Sequence, residues 1–191
     1  MITVLGLDPG ISHLGGAVLQ VNTKEPKPFT LVYADSFRGD LTNYDIREDT
    51  PHQTKAKGLL RSYSYLLELF EPDVISCEDN FFKMSLSSFK RLIEVVTMMS
   101  YQTLLDLPEV PFHLHLPRLA KQIVDADKDK GDKDLVKQGL LDCDFLDLNG
   151  FNLDNLTEHA IDAILLALYE AVLIYRAYGW EVYVQRESKT K

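Results

Sequence analysis

The chain has 191 residues, 46% of them hydrophobic and 26% charged, which fits one folded domain and excludes a disordered, fibrous or low-complexity protein. Its formal net charge of −9 excludes a general polyanion binder, so contact with nucleic acid must come from a local patch or from bound metal. Cys77 and Cys143 form neither a C-x-x-C pair nor a disulfide framework, which points to a reducing, cytoplasmic setting. The N-terminus lacks the basic start and long apolar run of a secretory signal. No stretch offers the ~18 clean apolar residues of a membrane span, so no membrane partner is expected.

Ile2 to Leu7 is a short apolar run stopped by Asp8-Pro9-Gly10, the pattern of a buried strand ending in a turn. Gly15 to Val21 and Thr30 to Phe37 follow as further strands, with Asn22 to Pro28 as the loop between them. Such closely spaced strands predict an antiparallel meander. After the polar stretch Gly39 to Pro51, Leu59, Leu60, Tyr63, Leu66, Leu67 and Phe70 recur at helical spacing within a helix over 53–70. Pro72 ends it. Val74 to Cys77 is a brief buried strand that reaches Glu78. A long helix is predicted over 86–105, with Phe89, Leu92, Ile93, Val96, Met99 and Leu104 as apolar positions, and Phe112 to Leu116 is a fifth strand. Shorter helices fit 117–124 and 134–141, and the last long helix runs over about 156–175. A meander followed by crossover connections predicts an α/β fold with a mixed five-stranded sheet flanked by helices. The domain is expected over residues 1–177, with 178–191 as a C-terminal tail.

Three groups of residues carry possible chemistry. Asp8 follows a strand and precedes a rigid turn, at the sheet edge where open α/β folds place ligands; a turn Asp capping its own backbone is the ordinary alternative. Glu78 repeats the logic on another strand. His159 and Asp162, three apart, project from one side of the last helix, and Asp162 lies beside an apolar stripe where an unpaired charge is costly. Glu158 has a structural explanation, because Asn155-x-x-Glu158 resembles a capping box. Two acidic strand ends and a helix-borne acid are the material of one divalent-metal cluster, since Mg²⁺ favours oxygen ligands and paired ions serve phosphodiester chemistry.

In these residues the chain resembles the RuvC-type Holliday-junction resolvases of the RNase H-like (retroviral integrase) superfamily. Gly6-Leu7-Asp8-Pro9-Gly10 with Gly15 looks like the first motif of that family, and Glu78 with Phe81 like the second. Ala120-Lys121-Gln122-Ile123-Val124 followed by Lys133 resembles its basic segment, and His159-Ala160-Ile161-Asp162-Ala163 its last motif. The resemblance covers about residues 1–176. It implies an RNase H-like fold, a homodimer, and Mg²⁺- or Mn²⁺-dependent resolution of four-way DNA junctions by paired nicks that leave 5′-phosphate and 3′-hydroxyl ends. It further implies that Asp8, Glu78, His159 and Asp162 are catalytic and hold two metal ions per site, that Lys121 and Lys133 contact DNA, and that Phe81 stacks on an unpaired base near the crossover.

The chain departs from the family in its adjacent Gly15 and Gly16, and in Asp125, Asp127, Asp129, Asp132 and Asp134, which crowd the basic segment. A nuclease for other branched DNA or for RNA–DNA hybrids is therefore an alternative, as is a non-catalytic junction-binding protein. An actin-like ATPase would need more chain than is present. Asp125-x-Asp127-x-Asp129 is not a calcium loop, because Lys130 and Val136 stand where an EF-hand needs Gly and Glu. His113 and His115 alternate on a strand and receive no role.

Overall fold

The computed structural model describes residues 1–22, 27–39, 50–79, 85–127 and 133–178, with Lys133 described by its backbone only. The chain runs β1 (Ile2–Pro9), β2 (His13–Val21), β3 (Phe29–Arg38), α1 (Pro51–Phe70), β4 (Val74–Glu78), α2 (Leu86–Asp106), β5 (Phe112–His115), α3 (Pro117–Ile123), α4 (Lys133–Leu141), β6 (Leu146–Asp147), a short 3₁₀ turn (Leu153–Asn155) and α5 (Glu158–Ala177). The sheet order is β5-β4-β1-β2-β3-β6. β1, β2 and β3 form the expected antiparallel meander. β4 lies parallel to β1, and β5 parallel to β4, because the helical crossovers α1 and α2 return the chain to the same end of the sheet.

The sheet has six strands, not the expected five. β6 pairs with β3 only through Phe29↔Leu146 and Thr30↔Asp147. A two-residue strand carries no alternation that a sequence can display, and it exists because the free edge of β3 is there to pair with. The helix starts have local causes. Thr50 caps α1 in a reciprocal capping box with Gln53, Ser85 caps α2, and Thr157 caps α5 by accepting from the Ala160 amide. The last of these corrects the capping-box reading of Asn155 and Glu158. Asn155 closes the 3₁₀ turn, and Glu158 is the exposed first residue of α5, where its charge suits the helix dipole.

Period-two alternation along the strands builds two cores, one on each face of the sheet. Leu5, Leu7, Leu14, Val18, Ile75 and Cys77 pack against Leu59, Tyr63, Leu66, Val95 and Met99 of α1 and α2. Val4, Ala17, Leu19, Phe29 and Leu31 pack on the opposite face against α5, joined by Ala120, Val136 and Leu140 of α3 and α4. α2 is less buried than its composition suggests. Leu92, Val95, Val96, Met99 and Thr103 form its buried stripe, whereas Ile93, Met98, Tyr101, Leu104 and Leu105 are 43% to 60% exposed. Ile93 and Leu104, two of the apolar positions marked by the spacing, therefore face outward. No described helix is long and apolar enough to cross a membrane.

α5 lies directly across the central strands, and two glycines permit the close approach. A Cβ on Gly6 would stand 2.1 Å from the carbonyl oxygen of Ala163, and one on Gly15 would stand 1.9 Å from that of His159. Both clashes are with helix backbone, so neither can be relieved by a rotamer change. These glycines thus set the height of α5 above β1 and β2, and with it the reach of every side chain α5 directs at the sheet.

Candidate active site

Strand register brings the first two acids together. β1 and β4 are parallel and paired at Leu7↔Cys77. The next residue on each is Asp8 and Glu78, so the two carboxylates stand side by side on neighbouring strands, whose axes are ~4.8 Å apart. Both lie on the α5 face, as does Ser76, whose hydroxyl donates to the Leu166 carbonyl at 2.8 Å. Asp8 is 7% exposed.

α5 supplies the rest from above. His159 sits over Gly15 in its first turn, and its Nδ1 lies 2.5 Å from Oδ2 of Asp8. Asp162, one turn further on, faces Glu78 across a cavity of about 100 Å³ that Lys121 of α3 also lines. Four of the acids and imidazoles singled out in the sequence, Asp8, Glu78, His159 and Asp162, therefore meet at one place, with Lys121 beside them. Glu158 remains exposed at the helix start.

The electrostatics follow from partial burial of like charges. Burial, the Asp8 charge, a hydrogen bond with Asp8 and the Asp162 charge push the Glu78 carboxyl up to about 9, against the pull of Lys121. Asp162 is pushed up to about 6, chiefly by burial and then by Asp8, with Lys121 and His159 opposing. The hydrogen bond to Asp8 raises His159 above its ordinary value, more than burial lowers it. With all three carboxyls ionised, negative charge would exceed what one lysine and one imidazole offset, and Glu78 and Asp162 hold their protons more tightly instead. Clustered carboxylate oxygens with excess negative charge are the donor set that Mg²⁺ or Mn²⁺ takes, and the residues present fit such ions.

The same fold occurs in known proteins. RuvC from T. thermophilus, solved with a Holliday junction substrate, superposes with a TM-score of 0.59 at 20% identity, over 93% of this chain and 97% of that one. The fold is that of the RuvC-type resolvases. The yeast mitochondrial Holliday junction resolvase Ydc2 matches with a TM-score of 0.62 at 18% identity, over 92% of this chain and 82% of its own. The fowlpox virus resolvase, solved with Holliday junction DNA, matches with a TM-score of 0.52 at 15% identity, over 91% and 99%. No protein-family model matches the sequence, and no curated protein matches it significantly. The likeness to RuvC-type proteins is therefore carried by the backbone, with few residues shared.

Among the residues that the resemblance assigned to DNA, Lys121 lines the cavity between Glu78 and Asp162. Phe81 lies outside the described residues, as do the side chain of Lys133 and residues 179–191 of the tail. Sequence reading missed His13. Its ring stacks on that of His159 with centroids 5.5 Å apart and planes 9° from parallel, and Ser12 Oγ lies 3.1 Å from its Nδ1. The signal was present in the turn between β1 and β2, where the amide of Gly10 donates to the His13 carbonyl at 2.7 Å and brings the histidine back over the site.

His159 touches Asp8 whereas Glu158 does not enter the cavity, so the two adjacent side chains should behave differently. His159→Ala is expected to slow any metal-dependent cleavage by at least about 10- to 100-fold, the range found when even a partner that only orients a metal ligand is lost. Glu158→Ala should cost less than about threefold and at most ~1 kcal/mol of stability through the helix dipole. Single-turnover rates beside thermal melts of the two variants check this, and a larger rate loss in Glu158→Ala would reverse the assignment.

Proposed function

We propose that this chain is a divalent-metal-dependent endonuclease that resolves four-way DNA junctions by paired nicks, leaving 5′-phosphate and 3′-hydroxyl ends. The observation that carries this reading is the meeting of Asp8 and Glu78, on paired parallel strand ends, with His159 and Asp162 from α5 above them. The fold shared with three Holliday junction resolvases supports it.

Asp8, Glu78, Asp162 and His159 would hold the metal. When bound, Mg²⁺ or Mn²⁺, two ions per site, would supply the acidity that activates water and the positive charge that offsets the phosphate. The remaining work falls to the chain itself. Asp8 is held in one orientation by His159 Nδ1, and the stacked His13 ring keeps His159 from turning away. The Lys121 ammonium lines the same cavity and offsets part of the acids' repulsion, and it would attract a phosphate there. Lys133 would add a phosphate contact, and Phe81 a face on which an unpaired base stacks. The apolar, exposed side of α2 formed by Ile93, Tyr101, Leu104 and Leu105 supports a homodimer. A two-fold dimer would present two such sites to a two-fold junction.

The test compares a four-way junction, a three-way branch and a linear duplex of matching sequence, with Mg²⁺ or Mn²⁺ and with chelator. Paired symmetric nicks confined to the four-way junction and the metal-containing reactions are expected. Equal cutting of all branched substrates would favour a debranching nuclease. Tight binding without cutting in any metal would leave a junction-binding protein and overturn the catalytic reading.

A further inference from the structure

A second cluster of metal-ligating side chains lies on the α5 face of the sheet, at its β5 edge. His113 and His115 alternate on β5, so both side chains point to the same face. That face is covered by the second half of α5, where Glu170 is 3% exposed within an otherwise apolar run. His113 Nδ1 lies 3.0 Å from Glu170 Oε1, and His115 Nε2 lies 2.5 Å from Oε2. One ligand atom from each of the three residues falls within 4.8 Å of the others. Asp162 and Glu170 are separated by eight residues of helix, a rise of ~12 Å, so this cluster is distinct from the carboxylate site.

We propose that His113, His115 and Glu170 bind one divalent transition-metal ion of the Zn²⁺ type, clamping the edge strand β5 to α5. The donor set is two imidazole nitrogens and one carboxylate oxygen, which suits Zn²⁺ and its first-row neighbours and disfavours Mg²⁺. Zn²⁺ holds such donors at ~2.0–2.2 Å, and three protein ligands with one open position is a recurrent arrangement for it. The donors are already close enough for small side-chain movements to place an ion among them. The Tyr169 ring packs edge-on to His115, with centroids 4.8 Å apart, and limits the swing of that imidazole. The His113 side chain is 48% exposed. A groove of about 700 Å³ runs past all three ligands and Leu173 and Ile174, giving an ion a way in and room for a water as fourth ligand.

The clamp would act on the strand beside Glu78. His115 is the register partner of Glu78, and its carbonyl accepts from the Asp79 amide at 2.8 Å. Binding there is independent of whether the chain cuts junctions.

Full-length protein would be incubated with Zn²⁺ in the presence of excess Mg²⁺, desalted and analysed for retained zinc, beside the variants His113→Ala and Asp8→Asn. One equivalent is expected in the wild type and in Asp8→Asn. In His113→Ala, whose exposed side chain can be removed without opening the core, zinc affinity should fall by more than about 100-fold, beyond the loss seen for outer partners of a ligand. Zn²⁺ should also raise the melting temperature of the wild type and not of His113→Ala. No retained zinc in the wild type, equal retention in His113→Ala, or loss only in Asp8→Asn would each overturn the proposal and leave a hydrogen-bonded His–Glu–His knot.

Discussion

Asp8→Asn is expected to lower junction cleavage by more than about 100-fold with the fold retained. Outer partners of a metal ligand cost 10- to 100-fold when removed, and Asp8 is the residue that every other member of the site touches or senses. His159 hydrogen-bonds to it, and its charge contributes to the raised values of both Glu78 and Asp162. The substitution keeps shape and burial and removes one negative charge, so it isolates charge from packing. A second readout follows from the same contacts. The hydrogen bond with Asp8 is the largest cause of the raised His159 value, so in metal-free Asp8→Asn the His159 ring should titrate at lower pH than in wild type. Imidazole chemical shifts followed against pH would show it. Cleavage at wild-type rate, or an unmoved His159 titration in a folded variant, would remove Asp8 from the centre of the site.

Glu78→Gln should abolish cleavage and at the same time stabilise the metal-free protein at high pH. The folded-state value of Glu78 is about 9 against an ordinary 4.5. A raised value means that the folded state holds the proton more tightly than the unfolded chain does. Its contribution is full below about 4.5 and is lost as pH rises through about 9. Asp162 acts in the same direction between 3.8 and about 6, and the raised His159 value adds a loss as pH rises through it. Metal-free wild type should therefore melt at progressively lower temperature from pH 5 to pH 9. A glutamine at this position stays neutral throughout and escapes most of that penalty. At pH 9 the metal-free variant should melt about 2–8 °C above wild type, the shift that roughly 1–2 kcal/mol gives for a chain of this size. At pH 5 the two should agree closely. Mg²⁺ should raise the wild-type melting temperature at pH 9 and do little for the variant. A variant that melts below wild type at pH 9 without metal would show that Glu78 is held by its neighbours and not strained by them.

Both predictions rest on an arrangement that was partly readable in the chain. Asp8 and Glu78 announced themselves as acids where apolar strands stop, and His159 and Asp162 as polar residues three apart on an apolar helix. Period-two and helical spacing placed the meander, α1, α2 and α5 to within a few residues, because those elements bury one face against a large core and the pattern records it. Elements without such a face were lost. β6 has two residues, and Thr157, not Asn155, starts α5 because the 3₁₀ turn before it consumes Asn152 and Asn155. The apolar positions of α2 divide between buried and exposed for a related reason: spacing shows that a helix has an apolar surface and does not say which neighbour covers it.

The chain by itself determined the α/β class, the order of strands and helices and the identity of the acids, since each is encoded within a short stretch by periodicity, capping and turn chemistry. Tertiary structure decided which of these side chains meet. The Leu7↔Cys77 register sets Asp8 beside Glu78, the bare faces of Gly6 and Gly15 let α5 descend until His159 reaches Asp8, and the edge position of β5 brings His113 and His115 to Glu170, over fifty residues away in sequence. Convergence of this kind depends on strand pairing and helix packing between distant segments, and local sequence carries no record of the distance between them.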